Sequence, residues 1–208
     1  MEIAVSRPWV SWGRWWFRNR GHSPLPIFVL ALVVSPDFSV GFGPGLILIV
    51  LGVALAEWIR VWAVSHAGSS TRTRRDEVRH LVTSGPYRWC RNPLYVANIL
   101  LYSLFCILFG HLWLTLFAFL YFCLQYSLIV RYEEDLLNHL VGKAYRDYCH
   151  SVPRWLVGRR QELPAPAGGR HGWRNAFRSE RSTLVALGVV WLFWLIRAYW
   201  LQSGIESK

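Results

Sequence analysis

Long apolar runs, with little strand-like alternation, dominate the chain. Leu46 to Val64, Leu94 to Phe109, Leu112 to Val130 and Leu184 to Trp200 each reach or approach the ~20 residues that carry an α-helix across a bilayer. A fifth run, Pro26 to Val40, is interrupted by Pro36 and Asp37 but has the same character. The pattern predicts five membrane helices. After Arg131 it changes period: Leu136, Leu137, Leu140, Val141, Ala144, Tyr145 and Tyr148 recur at three- and four-residue intervals. The opposite face carries Glu133, Asn138, Lys143, Arg146 and Asp147. This reads as an amphipathic helix leaving the membrane along its surface, broken near Gly142 and ended by Pro153.

The polar intervals divide the chain. Residues 1–24 interleave Trp9, Trp12, Trp15, Trp16 and Phe17 with arginines, an interfacial segment rather than a secretory signal peptide. Residues 25–64 hold the first two spans, and 65–157 form a core of helical hairpin plus surface helix. Residues 158–182 are a cytoplasmic linker, proline- and glycine-rich at first, with a short surface helix around Trp173 to Arg178. Residues 183–208 are the last span and its tail. The expected fold is therefore all-α and polytopic.

A net charge of +11 raises the question of nucleic acid, but position answers it. Twenty of the 23 Lys and Arg lie before the first span, between the second and third, or between Arg131 and Arg181, whereas 35–45 and Gly110-His111 hold none. That asymmetry predicts an amino terminus and large loops in the cytoplasm, and a carboxyl terminus outside. No nucleic-acid partner is expected. Cys90, Cys106, Cys123 and Cys149 have no C-x-x-C spacing, and the seven histidines no H-x-x-x-H pair, so neither a metal site nor a disulfide framework is expected.

The candidate chemistry sits at the ends of the hairpin. Ser84-Gly85-Pro86-Tyr87-Arg88-Trp89-Cys90-Arg91-Asn92-Pro93-Leu94-Tyr95 precedes one apolar run, and Arg131-Tyr132-Glu133-Glu134 follows the next. Gly85-Pro86 signals a turn, Asn92 suits a helix cap and Pro93 a first helical position. Local structure explains those residues but neither Arg91 nor Tyr95. Charged side chains at a membrane boundary are costly unless paired or functional, and Glu133 and Glu134 project about 100° apart on one helix. Glu57, about 17 Å into the second run at helical rise, has Arg60 one turn on, so an internal ion pair is its plainest role.

Taken in order, Gly-Pro-Tyr, Arg91-Asn92-Pro93-Leu94-Tyr95, Arg131-x-Glu133-Glu134, Gly142, Tyr145, Tyr148 and Val152-Pro153 resemble the isoprenylcysteine carboxyl methyltransferase and phospholipid methyltransferase family of integral membrane enzymes. The likeness covers about Ser65 to Pro153. It implies an S-adenosylmethionine pocket on the cytoplasmic side, bounded by Tyr87, Arg91, Asn92, Pro93, Tyr95, Glu133 and Glu134. Arg91, Arg131 and Glu134 are the implied catalytic residues, with the two arginines orienting an anionic substrate group. His66, in a stretch that resembles bacterial members, and Glu57, for its position within the second run, are the candidate substrate contacts. Asn92 stands where the family often has histidine, so no step here uses an imidazole at that position.

The resemblance implies methyl transfer to a membrane lipid or hydrophobic small molecule through a carboxylate, thiol or amine. The arginine-rich, lysine-poor usage points to a bacterial inner membrane and away from prenylated proteins. Two other classes compete. A sterol-reductase-type enzyme with a nicotinamide cofactor would be longer, with more spans. A transporter subunit or scaffold would show paired broken helices near the midplane, which the sequence lacks.

Overall fold

The computed structural model describes residues 8–68, 81–155, 158 and 172–206, and every α-helix and 3₁₀ turn below lies among them. The helices are α1 (Pro8–Asn19), α2 (Leu25–Val33), α3 (Pro44–Ala67), α4 (Pro93–Leu108), α5 (Leu112–Val141), α6 (Lys143–Ser151) and α7 (Trp173–Glu206), with a 3₁₀ turn at Gly85–Arg88. No strand occurs among the described residues. The fold is an all-α membrane fold. Three helices, α3, α5 and α7 (the last over Trp173–Trp200), are long and apolar enough to cross a bilayer, and α4 is a shorter apolar helix.

Contacts at the two ends of α5 fix the path of the chain. Arg20 lies 3.8 Å from Glu133 near one end, and the carbonyl of Ala31 meets His111 Nε2 at 2.9 Å at the other. The chain thus passes from the Glu133 end to the His111 end before α3 returns. Then α4 and α5 go out and back. Finally α7 starts beside Arg60, through Glu180, and reaches Ala31 and Val34 through Arg197. These contacts make five passes of the bundle, the first by a short helix and its flanking turns.

That first pass is shorter than the interrupted Pro26 to Val40 span read from the sequence. Helix α2 stops at Val33 because the next residues serve α5 instead of extending a helix. Asp37 Oδ2 accepts the Leu112 amide at 2.9 Å, and the Gly110 carbonyl accepts the amides of Asp37 and Phe38. A carboxylate on the first amides of a helix satisfies donors that have no partner within the helix and favours its positive end.

Two other elements are longer than expected. α5 does not stop at Val130 but continues to Val141, since nothing from Arg131 to Leu140 opposes a helix. Gly142 then takes φ +64°, which glycine adopts at little cost, and α6 sets off in a new direction. α6 ends at Ser151, two residues before Pro153. At the carboxyl end the expected surface helix and last span are one helix, α7. The linker residues 159–171 and the arginines at 72, 74, 75 and 79 lie outside the described residues.

The core runs through the middle of α3, α4 and α5, with Ala56, Ala97, Leu114, Ala118, Phe122, Tyr126 and Ile129 buried. α1 crosses α5 closely because Gly13 leaves room for the Leu128 carbonyl and the Tyr132 side chain. Outward faces of α3, α5 and α7 expose Leu48, Leu51, Leu116, Leu120, Leu124, Val185 and Leu192, as lipid contact requires.

Candidate active site

The polar groups gather where α3 ends, α4 begins and α5 leaves the bundle. Pro93 opens α4 because it has no amide hydrogen to leave unpaired and its φ suits a helix. Asn92 occupies the cap position, yet its side chain makes no capping bond. Its amide Nδ2 instead donates to the Arg154 carbonyl at 3.1 Å. The neighbouring Arg91 amide donates to the Pro153 carbonyl at 2.9 Å, so the chain after α6 is laid against the start of α4 by two adjacent bonds. Cys90 Sγ lies 3.5 and 3.4 Å from the carbonyls of Arg154 and Trp155, and burial pushes its thiol pKa up.

That lay brings an unanticipated residue to the site. Arg154 donates from Nε and Nη2 to the two oxygens of Glu134, at 3.1 and 2.5 Å, a fork-to-fork pair. This hydrogen bonding raises the Arg154 pKa further. Arg91 Nη1 approaches the same carboxylate at 3.3 Å. Glu134 is thus held between two guanidiniums. No local pattern marks Arg154 beforehand; only the return of Pro153 onto Arg91 places it.

Glu133 looks the other way, as its 100° offset dictates. The Tyr95 hydroxyl donates to Glu133 Oε1 at 3.0 Å, with Arg20 beside both at 3.8 Å from the carboxylate and 3.5 Å from the hydroxyl. The Tyr95 ring stacks on Tyr126 at 4.6 Å between centroids. Sequence reasoning also missed Arg20, from the segment read only as an interfacial anchor. Tyr87 lies in the 3₁₀ turn, where burial, then the charge of Glu133, keeps its phenol protonated well above the usual range. The Tyr148 hydroxyl donates to the Tyr87 carbonyl at 2.7 Å and ties α6 to the turn.

Of the residues expected at the site, Tyr87, Arg91, Asn92, Pro93, Tyr95, Glu133 and Glu134 come together at this end of the bundle. Arg131 does not join the Glu134 pair; it is exposed on α5, and Arg154 provides the second guanidinium there. His66 contacts the site's frame: its Nδ1 lies 2.9 Å from Ser84 Oγ, and its ring packs where a Cβ on Gly85 would fall. Gly85, at φ +60°, is doubly required there. Glu57 lies away from the Glu134 pair, 3.3 Å from Arg60, which pairs in turn with Glu180 of α7 at 2.7 Å.

A helical bundle with apolar, exposed outer walls and a half-buried arginine–carboxylate cluster at one end is an integral membrane protein. The phospholipid methyltransferase family model matches residues 42–144, from just before α3 to the first residues of α6, so this part of the chain is similar to that family.

Among curated proteins it is similar to the nickel-cobalt-cadmium resistance protein NccN of Alcaligenes xylosoxydans xylosoxydans, with 31% identity over 66% of this chain and 54% of that protein. It is 38% identical to the cobalt-zinc-cadmium resistance protein CzcN of Cupriavidus metallidurans, over 51% of this chain and 46% of that one. Protein-S-isoprenylcysteine O-methyltransferase of Mus musculus is 29% identical over 54% of this chain and 40% of its own. The chain spans about half the length of the curated relatives it matches. No solved structure matches it.

Proposed function

We propose that this end of the bundle binds S-adenosylmethionine and that the protein transfers its methyl group to a hydrophobic acceptor in the cytoplasmic leaflet of a bacterial inner membrane. The observation that carries the reading is the division of labour between adjacent carboxylates. Glu134 organises Arg91 and Arg154, while Glu133 is held by Tyr95 and Arg20.

The residues fit the cofactor. Arg88 Nε and Arg91 Nε are buried without a hydrogen-bond partner among the described residues, so two guanidiniums retain donors for a ligand carboxylate. Glu133 offers negative charge to an ammonium or sulfonium. Bound S-adenosylmethionine would supply an electrophilic methyl group.

The protein's part is then placement. Methyl transfer is an in-line displacement, accelerated by fixing the reacting atoms and excluding water. Asn92, Pro93 and the Pro153 carbonyl hold the backbone, Glu134 aims the arginines, and the Tyr87 and Tyr95 rings fill the interior. A carboxylate or thiolate acceptor needs no base. An amine acceptor gives up a proton, which Glu133 would take. Acceptors enter from lipid, where the apolar faces of the helices are exposed.

Calorimetry with S-adenosylhomocysteine tests the pocket. The purified protein is expected to bind it, and Glu134→Gln and Arg91→Ala are each expected to weaken binding by about tenfold or more, the scale of a charge-assisted contact. Unaltered binding in both variants rejects the assignment. Binding of a nicotinamide dinucleotide in its place would favour the reductase class.

A further inference from the structure

α7 lies beyond the stretch that matches the family, yet it is joined to the candidate site by an unbroken series of polar and ring contacts. Glu180 of α7, 1% exposed, accepts from Arg60 Nη2 at 2.7 Å, and Thr183 Oγ1 lies 3.2 Å from the same nitrogen. Arg60 Nη1 donates to Asn98 Oδ1 of α4. Asn98 Nδ2 then donates to the Tyr126 hydroxyl of α5 at 3.2 Å. The Tyr126 ring stacks on Tyr95, whose hydroxyl holds Glu133.

The path has a direction. Arginine only donates, so the Asn98 oxygen must face Arg60 and its amide must face Tyr126. The orientation of Asn98, and with it the donor that Tyr126 meets, is therefore set by where Glu180 and Glu57 hold the guanidinium. Docking α7 alone would not require this: Leu187, Val190 and Trp194 already bury apolar surface against the bundle. An ion cluster among membrane helices is costly unless fully paired, and in a low dielectric such a network couples its members more strongly than it would in water.

We propose that Glu180 is a positioning residue for the candidate active site, acting through Arg60 and Asn98 on the Tyr126–Tyr95 stack and so on the placement of Glu133. α7 thus tunes the site as well as anchoring the chain. The bearing on methyl transfer rests on the cofactor reading above; the coupling to Glu133 does not.

The test reads Glu133 itself. In infrared spectra of detergent-solubilised protein, the Glu133 band is the one lost in Glu133→Gln. Glu180→Gln and Asn98→Leu are expected to shift that band and to weaken S-adenosylhomocysteine binding about tenfold, the scale of coupling along such networks. Asn98→Leu leaves the Arg60–Glu180 pair in place, so it separates the relay from helix docking. Leu187→Ala, which loosens α7 by apolar contact alone, should leave the band unshifted. An unshifted band in both relay variants, or an equal shift in Leu187→Ala, overturns the proposal. If the unaltered protein binds no S-adenosylhomocysteine, the cofactor reading falls, and the band still decides the relay.

Discussion

Gly85 shows how a single residue can be held in place by its surroundings. Its φ of +60° strains any residue with a Cβ, and that Cβ would also fall on the His66 ring. Gly85→Ala is expected to cost about 2 kcal/mol or more, summing backbone strain and overpacking. The two causes can be separated: adding His66→Ala removes the clash but not the strain, so the double variant should recover part of the loss, a coupling read as non-additivity in thermal unfolding. Strict additivity would mean that His66 does not brace the turn. The glycine-proline turn was legible in sequence, but its partner was not, because His66 ends a different helix. Arg154 and Arg20 carry no sequence signal for the same reason. A lone arginine has no local signature, and its role depends on which carboxylate the fold delivers to it. Arg131 illustrates the converse: spacing placed it one turn from Glu134, but the structure leaves it exposed while Arg154 arrives from elsewhere.

At the level of elements, apolar runs located the helices well and their ends less well. Ends are set by polar detail: Pro93 starts α4 and Gly142 stops α5 as read, whereas α2 ends early because Asp37 is used to cap α5. The expected Glu57–Arg60 pair is present, but the sequence could not show that Glu180, 120 residues on from Arg60, completes it. Arg60→Met should accordingly destabilise the protein by about 3 kcal/mol or more, since it strands carboxylates in a low dielectric without their cation. The measurement is the thermal midpoint in detergent. A change within error would mean that water or other cations reach the cluster and that α7 is held by apolar contact alone.

For the whole molecule, charge distribution and chain path can be weighed against one another. The path brings the amino-terminal helix, the 3₁₀ turn, α6 and the start of α7 to one end of the bundle, and the residues between α2 and α3 with the α4–α5 turn to the other. The first end carries Arg14, Arg18, Arg20, Arg88, Arg91, Arg146, Arg154, Arg174 and Arg178, and the second has no Lys or Arg in residues 35–45 or 109–111. Loops rich in Lys and Arg tend to stay in the cytoplasm, so the candidate site is expected to face it. If all five passes cross the membrane, the carboxyl terminus is expected outside. Alkaline phosphatase fused after Lys208 should be active, and the same reporter fused within residues 159–171 inactive, with a fluorescent cytoplasmic reporter giving the reverse. An inactive carboxyl-terminal phosphatase would put both ends of the chain on one side. It would mean that the short α2 pass dips into the membrane without crossing it, leaving four crossings, and the link between charge asymmetry and site orientation would then rest on α3 to α7 alone.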